Sequence, residues 1–208
     1  VLERMTFLGI YSNNLDEFFR VRIASLNRIA QTKDKKLKRD RDIAKKTIKD
    51  INHLNSCFTK EFENTVNEVT KELDRKGIRI LHENELNNEQ QQYIRQIYID
   101  RLNGIAIPIW MSNIKEIGGS GDDGIFLAVK CMKWIENKKK PIVDYALISL
   151  PVKEMGRFVR LPQSDGKENI MYLDDVIRFC LPTIFVGCRQ CTFEAYSFKF
   201  TKDAEMDM

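Results

Sequence analysis

The apolar residues between positions 42 and 76 fall on a single stripe of an α-helix. They recur three or four residues apart, which places their side chains on one helical face, and Gly77 follows as a natural stop. A helix of this length with one apolar face has to bury that face against other elements. We therefore predict an antiparallel helical bundle over residues 1–104. The residues of the stripe are Ile43, Ile48, Ile51, Leu54, Phe58, Phe62, Val66, Val69 and Leu73.

The pattern changes after Gly104, where shorter apolar segments with strand-like alternation replace the helical stripe. A helix starts at Asp174-Asp175, and a glycine-rich loop is expected at residues 118–124. The sequence thus predicts an α+β chain, with a mainly antiparallel sheet in a second domain at residues 105–208. The predicted strands cover residues 125–134, 142–150, 157–161, 169–173 and 191–202.

Residues 4–26, RMTFLGIYSNNLDEFFRVRIASL, predict two helices that meet at residues 12–14. Asn14 is placed as the N-cap of the second helix, and Glu17 stands at capping-box spacing from it. Two explanations of Asn14 stay open. A capping side chain stabilises a helix by about 1 kcal/mol, whereas a carboxamide that faces a ligand can pair with the N6/N7 edge of adenine. The carboxylates of Asp16 and Glu17 should repel phosphates, so a nucleotide here would present its base or ribose.

The stretch ERMTFLGIYSNNLDEFFRVRIASL strongly resembles the amino-terminal region of type 1 polyphosphate kinases, the histidine-phosphorylated type. The resemblance continues, in the family's order, through YIRQIYIDRLNGIAIPI, YALISLPVKEMGRFVRLP, DDVIRFCLPTIF and AYSFKFTKDAEMD. It spans nearly the whole chain, and SNNLDEFFRVR is a highly specific block. In that family the second asparagine of the pair contacts ATP, which implies that Asn14 is a nucleotide-binding residue.

The resemblance also implies what this chain lacks. Type 1 enzymes transfer the terminal phosphate of ATP to polyphosphate through a phosphohistidine. That histidine, the phosphate-binding arginines and the Mg²⁺ site belong to two later domains with a phospholipase-D-like fold. We therefore expect no catalytic residue and no metal ligand in this chain, but an adenine-side contact. The α+β domain, the family's head domain, is expected to be truncated and to contribute to a homodimer.

The residues themselves form no catalytic motif. His53 and His82 stand on unrelated polar segments, and no GxxxxGK[ST] phosphate-binding loop is present. The acidic pairs at 122–123 and 174–175 are explained by a turn and a helix start. Val1 is not an initiator residue and the chain opens inside a helical pattern, so we expect a fragment that lacks the family's first helix.

The chain has five cysteines, and the odd number without a signal peptide favours free thiols in a reducing cytosol. Cys188 and Cys191 have CxxC spacing, but zinc would need two further ligands and no second CxxC or paired histidine exists. The sequence therefore favours incidental cysteines at a turn.

The net charge of +4 is mild and unevenly distributed. The basic run at residues 32–42 is interpreted as a solvated connector, with a polyanion-binding surface that also includes residues 138–140 as the alternative. A stand-alone dimerisation module is a further alternative. No apolar run approaches the roughly 20 residues of a membrane span. We expect a cytoplasmic protein, with peripheral membrane association left open and nucleic acid not expected as a partner.

Overall fold

A computed structural model of the chain describes residues 1–113, 124–136, 140–188 and 190–200. The described residues form two compact units, a helical unit, Val1–Arg75, and a sheet unit, Lys76–Phe200. The predicted α+β class is confirmed. The glycine-rich loop expected at 118–124 lies outside the described residues, apart from Gly124.

The helical unit is a hairpin with two arms. The first arm contains α1 (Leu2–Glu17), a π-helical segment (Phe18–Ile23) and α2 (Ala24–Gln31). A short 3-10 turn at Lys35–Leu37 leads into the second arm, α3 (Lys38–Arg75). The apolar stripe predicted the long helix correctly. The fully buried side chains of this unit are few, namely Ile23, Ala24, Ala44, Val69 and Leu73.

The helix break expected at residues 12–14 was wrong. The helix α1 continues through this stretch, and the Phe18 N–H donates to the carbonyls of Asn14 and Leu15. Asparagine is a weak helix former, but Asn13 and Asn14 are tolerated here because the surrounding turns are hydrogen-bonded. The connector at residues 32–42 is also shorter than expected, because α3 begins at Lys38.

The sheet unit contains the remaining elements. Its helices are α4 (Asn88–Ile97), α5 (Val152–Met155) and α6 (Leu173–Ile184), and a π-helical segment, Tyr98–Leu102, extends α4. The sequence predicts a helix cap at Asn87 or Asn88, and in the structure Asn87 caps α4 in a full capping box with Gln90. Its strands are β1 (Ile78–Leu81), β2 (Pro108–Trp110), β3 (Gly124–Lys133), β4 (Ile142–Ser149), β5 (Phe158–Ser164), β6 (Lys167–Tyr172) and β7 (Cys191–Phe200).

These strands form two sheets, whereas the sequence predicted one. The larger sheet has the order β2-β4-β3-β7 and is antiparallel throughout, and the smaller has the order β1-β6-β5. Strands β5 and β6 form a hairpin whose turn, Asp165-Gly166, has two positive φ values, as a tight hairpin turn requires. Strand β6 then pairs in parallel with β1, which comes from a distant part of the sequence. Local alternation predicts β6 but not such a distant partner.

The division between the units falls at Lys76, earlier than the predicted boundary after Gly104. Strand β1 belongs to the sheet unit because it pairs with β6. Helix α4 belongs there as well, since Ile94 and Ile97 lie in one buried cluster with Leu127 and Val129 of β3. Among the described residues, no helix combines the length and the apolar character that crossing a membrane requires.

Candidate functional site

Asn14 lies near the C-terminal end of α1 with its side chain exposed to solvent. Its backbone is part of the regular helix, so the carboxamide does not cap a helix and the capping explanation was wrong. No hydrogen bond to another described residue occupies the carboxamide. Contact with a nucleotide stays a prediction at this position.

The charge beside Asn14 is lower than the sequence suggests. The Glu17 Oε2 atom accepts from Arg20 Nη2 at 2.6 Å and from Arg20 Nε at 3.0 Å. This ion pair neutralises one of the two carboxylates that follow Asn14. The expected repulsion of phosphates from this surface is correspondingly weaker.

An apolar groove of about 370 Å³ lies between α1 and α3, and its lining residues on α1 precede Asn14 in the sequence. We call it the Tyr11 groove. The rings of Tyr11 and Phe62 stack in it with centroids 5.5 Å apart, and Phe7 and Phe58 also line it. Tyr11 precedes Asn14 by three residues, so the two side chains occupy neighbouring positions on one helical face. The helical unit thus presents aromatic surface and a carboxamide side by side.

A second cavity, of about 590 Å³, opens beside the first turn of α6 and is lined mainly by charged side chains. The Asp174 carboxylate lies there, 2.8 Å from Arg157 Nη1, and accepts a hydrogen bond from Ser197 Oγ at 2.6 Å. Burial raises the pKa of Asp174, but the Ser197 hydrogen bond and the Arg157 guanidinium outweigh burial and leave this pKa below its ordinary value. Asp174 is therefore held in its ionised form.

Asp175, the next residue, has a different environment. Its carboxylate lies 2.9 Å from His82 Nδ1 and forms a close ion pair with Arg178. Burial raises the pKa of Asp175 above its ordinary value, and the His82 and Arg178 contacts offset only part of that rise. The sequence left His82 without a partner, because no local pattern links residues 93 positions apart.

Two of the carboxylates that line this cavity are each matched by a guanidinium group, Asp174 by Arg157 and Asp175 by Arg178. Carboxylates in the first turn of a helix also favour the helix dipole. This arrangement anchors the start of α6, as the sequence interpretation of residues 174–175 expected.

Two groups among the described residues each bring three possible metal ligands within 4.8 Å of one another. In the group of His82, Glu83 and Asp175, the Arg178 guanidinium already lies against Asp175 and is 3.7 Å from Glu83. A metal cation would therefore meet a positive charge there. The other group consists of the thiols of Cys131, Cys188 and Cys191. Sequence reasoning missed this group because Cys131 lies far from the CxxC pair in the sequence.

Comparison with known proteins gives the same family for both units. The family model "Polyphosphate kinase N-terminal domain" matches residues 1–81, and "Polyphosphate kinase middle domain" matches residues 89–208. The gap between the two matches lies close to the division between the units.

Similar proteins from bacteria are also named polyphosphate kinase. The chain is 32% identical over 212 residues to the polyphosphate kinase of Vibrio cholerae, and 32% identical over 214 residues to that of Escherichia coli K12. Each alignment covers 100% of this chain but only 29% and 30% of the relative. The chain therefore spans less than a third of the length of these relatives.

The fold has a solved counterpart in the crystal structure of polyphosphate kinase from Porphyromonas gingivalis. The TM-score is 0.80 at 23% sequence identity, and the match covers 100% of this chain and 30% of that one. With both family models matched in order along its length, the chain belongs to the polyphosphate kinase family and corresponds to the family's N-terminal and middle domains.

Proposed function

We propose that this chain is the amino-terminal and middle portion of a polyphosphate kinase, which moves the terminal phosphate of ATP onto polyphosphate through a phosphohistidine. The observation that carries the proposal is the ordered match of the two family models to residues 1–81 and 89–208. We assign the reacting histidine and the Mg²⁺ ligands to the rest of such an enzyme, and we place the enzyme in the cytoplasm. A nitrogen nucleophile divides the transfer into two easier steps, while metal and cationic side chains offset the phosphate charge.

Within this portion, Asn14 is the residue that we assign to the adenine end of ATP. A carboxamide carries both a donor and an acceptor, which matches the N6/N7 edge of adenine. The exposed position of Asn14 and the adjacent Tyr11 groove support this assignment, because a base that pairs with the carboxamide can also stack on aromatic surface. Asn14 thus contributes to recognition of the base and takes no part in the phosphate chemistry.

A nucleotide titration tests the assignment, with Asn14→Ala compared against Asn13→Ala. Asn13 is also exposed on α1 but points about 200° away from Tyr11 around the helix. We expect Asn14→Ala to weaken ATP binding roughly tenfold, within the range for loss of a paired base edge. The Asn13→Ala variant should bind as the parent does, and GTP should bind the parent more weakly than ATP.

Equal effects of the two substitutions, or equal binding of ATP and GTP, would contradict the assignment. If the isolated chain binds ATP too weakly to titrate, the same pair of substitutions in the longer enzyme gives the comparison as a change in KM for ATP.

The sheet unit is proposed to contribute to a homodimer. Three isoleucines on and before the edge strand β2 support this, since Ile105, Ile107 and Ile109 are each about half exposed. Sedimentation at increasing concentration should show a dimer, and Ile107→Glu should shift it to monomer. A dimer without any effect of nucleotide would favour the alternative of a stand-alone dimerisation module.

Polyanion binding is a second candidate function, favoured by the exposure of the basic run at residues 33–41. Lys35, Lys36 and Lys38 are exposed, while Arg41 is half-buried and donates to the Thr32 carbonyl at 3.3 Å. Binding of polyphosphate that weakens steeply with salt, and a shallower salt dependence in Lys35→Gln/Lys36→Gln, would support it. Salt-independent behaviour would remove this candidate.

A further inference from the structure

We propose that Cys131, Cys188 and Cys191 form a binding site for one thiophilic metal ion, Zn²⁺, with water as the fourth ligand. We call the three residues the thiol cluster. The inference does not depend on the kinase assignment, because it rests on the geometry of these side chains alone.

Strand register brings two of the thiols together. Cys191 at the start of β7 pairs with Lys133 of β3, and Cys131 lies two residues before Lys133 on the same strand. Directly paired residues share a face of the sheet, as do residues two apart along a strand. Cys131 and Cys191 are therefore diagonal neighbours on one face.

The turn after α6 supplies the third thiol. Phe185 is buried and packs against Trp110 and Phe193, with ring centroids 5.4 and 5.2 Å away, which fixes the chain just after the helix. The Cys188 N–H donates to the Phe185 carbonyl at 2.9 Å, and the Cys191 N–H donates to the Cys188 carbonyl at 3.3 Å. These two bonds hold Cys188 close to both Phe185 and Cys191.

The sulfur positions fit a tetrahedral ion better than a disulfide. Two thiolates bound to one tetrahedral zinc, at about 2.3 Å each, lie about 3.8 Å apart. The Sγ atoms of Cys131 and Cys188 are 3.7 Å apart. All three Sγ atoms lie within 4.8 Å of one another, so at most about 1 Å of side-chain movement closes the set around an ion.

Metal binding to the thiol cluster is coupled to the loss of protons, because only the thiolate form of cysteine binds the ion. On binding, each thiol releases its proton to solvent as its sulfur bonds to Zn²⁺, so three protons leave and the site carries one net negative charge. Lys133, which pairs with Cys191 across the sheet, offsets part of that charge.

Three thiolates also determine which metal the site accepts. Thiolates are soft ligands that suit Zn²⁺ or Cu⁺, whereas Mg²⁺ takes oxygen ligands. A magnesium ion used in phosphate chemistry is thus not a candidate for the thiol cluster. Among the described residues, no fourth Cys, His, Asp or Glu belongs to this group, which leaves the remaining position for water.

Co²⁺ titration of the reduced, metal-free chain tests the proposal, because Co²⁺ reports tetrahedral thiolate sites by colour. We expect one equivalent to produce thiolate-to-cobalt charge-transfer absorption and tetrahedral visible bands. Zn²⁺ should abolish both, and Mg²⁺ should leave both unchanged. Zn²⁺ should also raise the melting temperature, since an ion that binds only the folded state stabilises it, and its affinity should fall as the pH is lowered.

Substitutions separate the cluster from the other thiols. Cys131→Ser and Cys191→Ser should each lose the cobalt bands, while Cys57→Ser, at an exposed position on α3, should keep them. Cys191 is only half-buried, so its variant serves if Cys131→Ser fails to fold, and circular dichroism of the metal-free variants checks the fold.

Three results would overturn the proposal. They are the absence of cobalt bands in the parent chain, bands that survive both cluster substitutions, and bands that are lost in Cys57→Ser. A parent chain that shows two fewer free thiols without reductant, recovers them on reduction and then binds no Co²⁺ would identify the cluster as a disulfide pair instead.

Discussion

Asp174 gives the chain a defined acid sensitivity. Its pKa in the folded protein lies below the ordinary value of 3.8, so its contribution to stability is fully present above that pH. As the pH falls through the lowered folded-state pKa, the carboxylate is protonated and the contribution is lost. Acid unfolding should therefore be partly the loss of the Asp174–Arg157 pair.

We expect Asp174→Asn to be less stable than the parent at neutral pH, because Arg157 and Ser197 lose a charged partner. The difference from the parent should shrink as the pH drops below 3.8 and disappear below the lowered folded-state pKa, where the parent's own carboxylate is neutralised. Denaturant unfolding at a series of pH values measures this. Asp144→Asn, at an exposed position of β4, is the matched control. A constant difference across the whole pH range would contradict the assignment.

At the scale of single elements, the capping box of α4 is the clearest local device. Asn87 Oδ1 accepts from the Gln90 N–H at 2.9 Å, and Gln90 Oε1 accepts from the Asn87 N–H at 3.2 Å. Gln90 is buried and its Nε2 also donates to the Pro162 carbonyl at 3.1 Å, so the cap ties α4 to the end of β5. The motif connects local sequence to tertiary packing.

Replacing Asn87 with Ala should destabilise the sheet unit by about 1 kcal/mol, since it leaves a backbone donor of the first turn unpaired. Asn88→Ala, one position further on and exposed, should change stability far less. Chemical denaturation of the three proteins measures the difference. Equal losses for both substitutions would show that the capping bond contributes nothing specific.

Elements with a strong local pattern were predictable from the sequence, and contacts between distant segments were not. The stripe of α3, the Asn87 cap and the alternation in β3, with Leu127, Val129 and Cys131 buried, each follow from nearby residues. The parallel pairing of β1 with β6 and the meeting of Cys131 with Cys188 depend on how the whole chain folds. The error at residues 12–14 has another origin, because residues typical of caps also occur inside helices.

At the scale of the whole chain, each unit has its own buried residues. Leu73 is 5% exposed in the helical unit, and Ile94 is 0% exposed in the sheet unit. Because the two side chains belong to separate cores, truncating either one should destabilise mainly its own unit.

Leu73→Ala and Ile94→Ala should each cost about 2–5 kcal/mol, the usual range for a buried large side chain. Hydrogen exchange read by mass spectrometry should show faster exchange in α3 for the first variant and in β3 for the second. If either substitution loosens both segments equally, the two units unfold as one.

The π-helical segment Phe18–Ile23 has a geometric consequence for the first arm. Along an unbroken α-helix, Tyr11 and Ile23 would point about 120° apart, because each residue turns the helix by about 100°. A π-helical turn contains one residue more than an α-helical turn. The helix that follows it is therefore rotated back by about 100°, which cancels most of this difference in direction. Tyr11, which stacks on Phe62 of α3, and the buried Ile23 can thereby face the same way.

Deleting Arg20 should turn the first arm into a uniform α-helix whose two ends stay in phase, because Tyr11 and Ile23 are then about eleven residues apart, a rotation of only about 20°. Inserting an Ala after Arg20 should instead rotate Ile23 by about 100° towards solvent, and the hairpin should lose stability although its helical content remains, which circular dichroism combined with thermal melting would detect. Replacing Arg20 with Ala keeps the residue count and should have little effect on the melting temperature. Residue number in this segment, more than side-chain identity, thus sets the phase in which the first arm meets α3.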